Sequence, residues 1–599
     1  MLDTLPHVRS PRRVALAGLL TAVLVLAGCG GQPQTSNTDV ATVALDAGDE
    51  PTYILPSDPQ CTAVNNHYFR SLIYKPLYWY GGVLGNEFAL NEELSLAEPP
   101  EYNGSNDQVT ITLKDYNWSD GEPVSARDIA FYVNLYRASK AKWGCYAPGS
   151  VPDNIERMDI TGEKSIVLHL DKSYSPKWFD VQQLGGIIPL PQHAWDKTSD
   201  DGEIGNHHET DKGAAAVFDF LTGKAKSLSS YDSEPLWEVV NGPWALDEFD
   251  PRGDIAFVPN KKYSGKDKPK LSKLVEKRFT TEQAEFNALM ADDTLTTGYI
   301  PSQYTSRKKQ VENKGYRVYA KNNFGINYIQ LNHASNAAGP LLSQLYVRQA
   351  LQHMVDQPEY IKRAHNGEAF AVYGPVPIKP KNPYVSEYVK SVPYPHDPDK
   401  ASQLLDEHGW DVKPDGVSVC ARPGTAANQC GKGIARGMKL EFRLVYTQDP
   451  TNDRMMQAFK SSAAAAGINV KLRKTTQEQV FSVTNICKRG SRRCDWDAAY
   501  WGGWQFGPYP SGEELYKSGA SENNFNNPKA DRLIEATQTE SGLEHMTAYQ
   551  DYIAKQVPVL FMPRNQGASS VVRSDLKGFK RAEQGLFEDF YPQYWYFDE

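Results

Sequence analysis

Trp118-Ser119-Asp120-Gly121-Glu122-Pro123-Val124-Ser125-Ala126-Arg127-Asp128 joins a turn to the start of a helix. Asn117 to Gly121 carries turn chemistry: small polar side chains that bond nearby backbone, then a glycine that tolerates positive φ. Ser125 is placed to cap a helix beginning at Ala126, with Asp128 as the acid of its first turn. Ile129, Val133 and Tyr136 then share one face, which gives the helix a core side. The stretch therefore reads as a structural knot between strands and a helix.

The neighbours of this knot are strands. Val109 to Leu113 and Ser165 to Leu170 alternate apolar and polar residues. Further out, the patterns predict strands over 40–45, 244–249, 254–258, 326–331, 440–446, 468–472, an aromatic strand over 498–504, and a terminal strand over 558–562. Helices are predicted over 65–74, 281–290, 347–355, 400–408, 455–466, 529–537 and 547–555. Helix 455–466, stopped by Gly467 and followed by strand 468–472, is a unit of α/β type. Tyr299-Ile300-Pro301 reads as a loop, and the proline-dense 373–395 as extended or looped chain. Residues 196–233 read as a solvated surface insertion; His207 and His208 among acids leave metal binding as its alternative. No repeat of 20–50 residues is present.

The chain has 599 residues, 40% hydrophobic and 23% charged, which is globular composition. A formal charge of −9 argues against a nucleic-acid partner, and a mean hydropathy of −0.55 against a polytopic membrane protein. One apolar run stands out, Val14 to Ala27, preceded by Arg9, Arg12 and Arg13. It is short for a membrane span and reads as the core of an export signal. The run ends in Leu26-Ala27-Gly28-Cys29, which resembles the bacterial lipobox. That resemblance implies a leader over 1–28, cleavage before Cys29, lipid on that cysteine, and a flexible tether over 29–39.

Six cysteines then remain in an oxidising compartment, where pairing is expected. The close spacings suggest Cys420–Cys430 and Cys487–Cys494, leaving Cys61–Cys145. Metal ligation is the alternative, but C-x-x-C is absent and no histidine stands at ligand spacing. Enzyme signatures are absent too: no G-x-S-x-G, no phosphate-binding glycine loop, no H-E-x-x-H and no G-x-G-x-x-G. Glu513 and Glu514 are adjacent, so they point apart and make a poor acid/base pair. No enzyme, metal or cofactor is expected, with an exported peptide hydrolase as the lesser alternative.

Five blocks in order resemble the solute-binding proteins of peptide-type ABC importers, the oligopeptide- and dipeptide-binding family. They are Trp118 to Asp128; Asn241-Gly242-Pro243-Trp244-Ala245-Leu246; Asn332 with Leu345 to Leu351 and Asp356; Asp397-Pro398-Asp399-Lys400-Ala401 with Leu404-Leu405 and Gly409; and Asn526-Asn527-Pro528 with Asp531 and Leu533. The resemblance implies an α/β, two-lobed periplasmic-binding-protein-like fold with a hinge and an additional third domain. Carried over, lobe I covers 40–76, 191–325 and 564–599, the additional domain 77–190, and lobe II 326–563. It further implies a lipid-anchored, monomeric receptor on the outer face of the cell membrane, which captures oligopeptides by hinge closure and passes them to a membrane permease.

In such proteins the peptide lies extended between the lobes. The segments similar to cleft-lining ones are Cys61-Thr62-Ala63-Val64, the stretch from Trp143 to Tyr146, Asn327-Tyr328, and Tyr500-Trp501-Gly502-Gly503-Trp504-Gln505-Phe506; Tyr299 joins them. Tyrosine and tryptophan bring large contact area with a polar tip, and glycines let a ligand approach the backbone. The same aromatic strand also fits a core position. Peptide-binding members carry an acid about three residues after the Gly-Trp of this strand, where it pairs with the peptide amino group. This chain reads Gly503-Trp504-Gln505-Phe506-Gly507-Pro508-Tyr509-Pro510 and has none there. Either another acid substitutes, with Glu478 as a candidate, or the ligand is a non-peptide solute such as an oligosaccharide or metal chelate.

Overall fold

The computed structural model describes residues 39–45, 51–56, 64–81, 88–144, 146–291, 295–320, 324–484, 486–519, 523–565, 569–579 and 591–598. Within it the Trp118–Asp128 stretch is the expected knot. Gly121 takes φ +106°, a conformation that favours glycine. The helix Ala126–Ala138 follows, and the Asp128 carboxylate accepts the Ser125 N–H at 2.8 Å. The same carboxylate accepts the Trp118 indole N–H at 3.2 Å and the Gln192 N–H at 2.9 Å. Burial raises the pKa of Asp128 while these three donors oppose the rise. Ser119 reaches across to the Glu238 carbonyl at 2.6 Å, so the stretch ties distant chain segments together.

Three larger sheets organise the molecule. An antiparallel sheet of four strands holds Glu101–Tyr102, Gln108–Thr112, Ser165–Leu170 and Ile155–Gly162 in that order. A seven-stranded mixed sheet runs Tyr316–Ala320, Ser569–Arg573, Thr297–Ile300, Val40–Ala44, Lys273–Lys277, Ile255–Pro259, Trp244–Phe249. A six-stranded sheet is built on Gly325–Leu331, whose seven residues are all buried. One edge of that strand pairs with Val559–Met562, the other with Ala498–Tyr500 and then Gly503–Gln505. Glu441–Thr447 lies parallel to both Ala498–Tyr500 and Asn469–Thr475, the latter reached through the helix Pro450–Ala465.

Three helices share one starting device, a capping side chain followed by proline at the first helical position. Asp397 caps Pro398–Glu407, Asp449 caps Pro450–Ala465 and Asn527 caps Pro528–Thr539. Asp449 accepts the N–H groups of Thr451 (2.8 Å) and Asn452 (3.1 Å), so this helix begins five residues before the apolar pattern that starts at Met455. Arg348 is buried and caps the end of the helix Leu543–Gln556: its Nε donates to the carbonyls of Gln556 and Val557, each at 3.0 Å, and its Nη1 to Leu342 at 2.9 Å. Burial lowers its pKa to about 10, so it stays charged.

Four expectations are corrected. Tyr299 lies in the strand Thr297–Ile300, not in a loop, because that segment pairs with Ser569–Arg573. Residues 498–504 are two strands rather than one: between the partners Gln330–Ala499 and Asn327–Gly503 the aromatic segment holds one residue more than its neighbour, a β-bulge. Residues 196–233 are not merely a solvated insertion. The helix Asp211–Lys224 buries Val217, Phe218 and Leu221, and buried His208 bonds Asp196 at 2.6 Å. Strand 559–562 is not terminal, since Ser569–Arg573, Leu576–Lys577 and Tyr596–Phe597 follow. Disulfides join Cys420 to Cys430 (S–S 2.12 Å) and Cys487 to Cys494 (2.02 Å).

Candidate functional site

A cavity of about 1710 Å³ opens against the six-stranded sheet. Asn327, Tyr328 and Gln330 line it from Gly325–Leu331, and Tyr500 to Trp504 line it from the adjoining bulged segment. The bulge sets the local geometry. Gly502 adopts φ +116°, with open space where a Cβ would stand, and its carbonyl accepts the Tyr328 N–H at 3.0 Å. Gly503 has a different reason to be glycine: a Cβ there would lie 1.9 Å from the Ile326 carbonyl oxygen. Close strand approach, and not ligand access, requires it.

The bulge presents Trp501 between two other rings. Tyr328 lies edge-on at 6.1 Å between ring centroids and Phe481 at 5.6 Å. Phe481 and Ile486 both line the cavity and are each 47% exposed, among the few large apolar side chains open to water. Further lining comes from Tyr146 to Ser150, from Asp171, Lys172, Tyr174 and Trp178, which follow the strand Ser165–Leu170, and from Gln303 and Thr305 beyond Thr297–Ile300. Tyr146 bonds Asp153, which pushes its phenol up to about 12.

Charge in the cavity is of both signs. Arg564 donates from Nη1 to Asn327 at 2.7 Å; burial lowers its pKa, and Tyr500 and Tyr328 oppose that shift. The short helix Glu513–Tyr516 supplies two carboxylates. Glu513 accepts the Trp178 indole N–H at 3.3 Å. Glu514 lines the cavity with an exposed side chain, and partial desolvation together with the neighbouring Glu513 raises its pKa.

Of the residues singled out in the sequence, Tyr146, Asn327, Tyr328, Tyr500, Trp501, Gly503 and Trp504 are brought together around this cavity. Others are placed elsewhere. Trp143 packs on Tyr136 at 4.7 Å between ring centroids, and Tyr299 is buried in the seven-stranded sheet. Phe506 is buried against Phe324, and Gln505 is exposed; neither lines the cavity. Val64 opens the helix Val64–Ile73 and Glu478 lies on the helix Gln477–Val483, but their side chains lie outside the described residues. Cys29, Cys61, Thr62, Ala63 and Cys145, and with them the pair Cys61–Cys145, also lie outside them. Glu513, Glu514 and Arg564 carry no local signal beyond their charge, because only the fold brings their two segments to the cavity.

Residues 93–527 match the family described as bacterial extracellular solute-binding proteins, family 5. A Brucella ovis protein described as an ABC transporter peptide-binding protein is 25% identical over 465 residues, which span 75% of this chain and 74% of its own. The oligopeptide-binding protein AppA of Bacillus subtilis, solved with a nonapeptide, superposes with a TM-score of 0.65 at 17% identity, covering 94% of this chain and 99% of its own. The periplasmic EDTA-binding protein EppA superposes with a TM-score of 0.71 at 15% identity, covering 94% and 96%. With the blocks in order and the matched region spanning most of its length, this chain belongs to the extracellular solute-binding proteins of family 5, the substrate-binding proteins of peptide-type ABC transporters.

Proposed function

We propose that this protein captures oligopeptides in the cavity and delivers them to a membrane permease. The observation that carries the reading is the cavity itself. At about 1710 Å³ it exceeds the roughly 300–1,000 Å³ of a site for one drug-sized ligand. It joins an aromatic wall at Trp501 to polar groups of both signs, which suits an extended chain with a charged end and varied side chains. The AppA complex shows that the same fold accommodates nine residues in that relative. Small molecules released from the purified protein by denaturation are expected to be peptides by mass spectrometry. Release of none, with no thermal shift from peptide pools, would end the reading.

In this proposal 40–76, 191–325 and 564–599 form lobe I, 77–190 the additional domain and 326–563 lobe II. The chain passes between the seven-stranded and six-stranded sheets twice, between Ala320 and Gly325 and between Met562 and Ser569. Two crossings suit a hinge. Residues 1–28 serve as the export leader and Cys29 as the lipid attachment point, which leaves the monomer tethered outside the cell membrane. The second reading is a non-peptide solute. It is favoured by the absent acid after Gly503-Trp504 and by EppA, an EDTA-binding protein of the same fold.

A further inference from the structure

We propose that Phe481, Ile486 and Trp501 form a subsite for one bulky apolar side chain of the ligand, so that the protein favours peptides carrying an aromatic or large aliphatic residue. The inference deepens the peptide reading and rests on it. A single exposed isoleucine is ordinary on a protein surface, whereas a cluster in a concave wall marks a place where something apolar binds. Among the described residues five large apolar side chains are exposed: Ile160, Ile204, Phe481, Ile486 and Leu543. Ile160, Ile204 and Leu543 lie outside the cavity. Phe481 and Ile486 line it together with half-buried Trp501.

Fixed neighbours hold these side chains out. Val480, next to Phe481, is fully buried and packs with Val445, Trp496 and Ala499, which pins the helix Gln477–Val483 to the six-stranded sheet. Thr476 caps that helix by accepting the Gln479 N–H at 3.3 Å, and buried Thr484 closes it by donating to the Val480 carbonyl at 3.2 Å. Adjacent helical side chains diverge by about 100°, so Phe481 cannot follow Val480 inward. Ile486 precedes Cys487, whose N–H donates to Asn524 Oδ1 at 2.8 Å and whose sulfur is bonded to Cys494. Trp501 packs against the Val445–Val480 cluster and meets Phe481 edge-on, yet Phe481 stays 47% exposed. The exposed apolar surface is therefore built into the wall and does not come from a loose side chain.

Such a wall discriminates by contact area. A ligand ring or branched chain laid on it takes apolar surface of both partners out of water, and a preformed wall loses little freedom in the process. Alanine reaches too little of the surface to gain from it. A lysine ammonium placed there would lose water to Phe481 and Ile486 without finding an acceptor on them, so the wall selects against charge.

Pentaalanine and five variants of it, each with one phenylalanine at a successive position, are titrated calorimetrically into the full chain after bound material is stripped. At least one phenylalanine peptide is expected to bind about tenfold or more tighter than pentaalanine. Lysine at that same position is expected to bring no such gain. In Phe481→Ser/Ile486→Ser the gain over pentaalanine, both measured on that variant, is expected to fall below about threefold. Should the double variant melt early, Ile486→Ser alone carries the comparison, with a partial loss of the gain. The proposal is overturned if no position favours phenylalanine, if lysine matches it, or if the gain survives substitution, as it would were the patch only a contact made on closure. Each of these leaves the peptide reading standing. If no peptide binds and none is released from the native protein, the peptide reading falls and this subsite with it.

Discussion

Trp501 owes its position to its neighbours on both sides, Tyr328 and Phe481, and to the bulge that turns it toward the cavity. Trp501→Ala is expected to weaken peptide binding about tenfold by calorimetry, because a rigid aromatic surface is lost at low entropic cost. Asp497 illustrates a residue whose charge serves stability. Its side chain is 1% exposed, accepts Arg443 Nε at 2.9 Å and Ser335 Oγ at 2.6 Å, and these donors hold its carboxyl below the usual carboxylate range. Arg443→Ala leaves that charge uncompensated and should cost about 2–3 kcal/mol at pH 7 in urea unfolding. A depressed folded pKa contributes fully above the ordinary carboxylate value and is lost as pH falls through the folded one. The gap between wild type and variant is therefore expected to narrow toward pH 3; a gap independent of pH would contradict this account. Such pairs are hardly legible in a sequence, since Arg443 and Asp497 are 54 positions apart. The turn at Trp118 and the helix entry at Asp128 were legible, because local geometry decides them; the Asp-Pro and Asn-Pro helix starts were not, since the apolar patterns begin only at 400, 455 and 529, after the capping turns.

At the scale of elements, the pair Gly502-Gly503 divides into two roles. Gly503→Ala must force the strand from Ile326, and a loss of about 2–3 kcal/mol is expected. Gly502→Ala meets no atom and pays only for positive φ, about 1 kcal/mol. Thermal melting should rank the two variants in that order, and the reverse order would refute the assignment. The aromatic run at 498–504 was visible as strand, but its bulge was not: period-two alternation is blind to one added residue when both faces are buried. Tyr299 was misplaced for a related reason. Thr297–Ile300 is only four residues long, and its pairing comes from Ser569–Arg573, far along the chain.

Over the whole molecule, the proposed closure makes a prediction that no residue carries alone. Saturating peptide is expected to reduce the radius of gyration in small-angle scattering. Unchanged scattering with peptide bound would refute the hinge. The α/β class was readable from alternating elements, and the order of blocks indicated the family. The place of Glu513 and Glu514 on the cavity wall was not readable, because only the folded chain brings 513–516 and 327–330 to one cavity. The order of strands has a temporal consequence. Ser569–Arg573 sits inside the seven-stranded sheet, hydrogen-bonded on one edge to Tyr316–Ala320 and on the other to Thr297–Ile300. Until that late strand emerges from synthesis or export, the sheet stays split and its inner edges lack partners. The six-stranded sheet is complete by Met562, so it can close first. A chain cut after Asn565 is expected to keep that second sheet and lose the first, leaving a polypeptide that folds in part and aggregates through the gap.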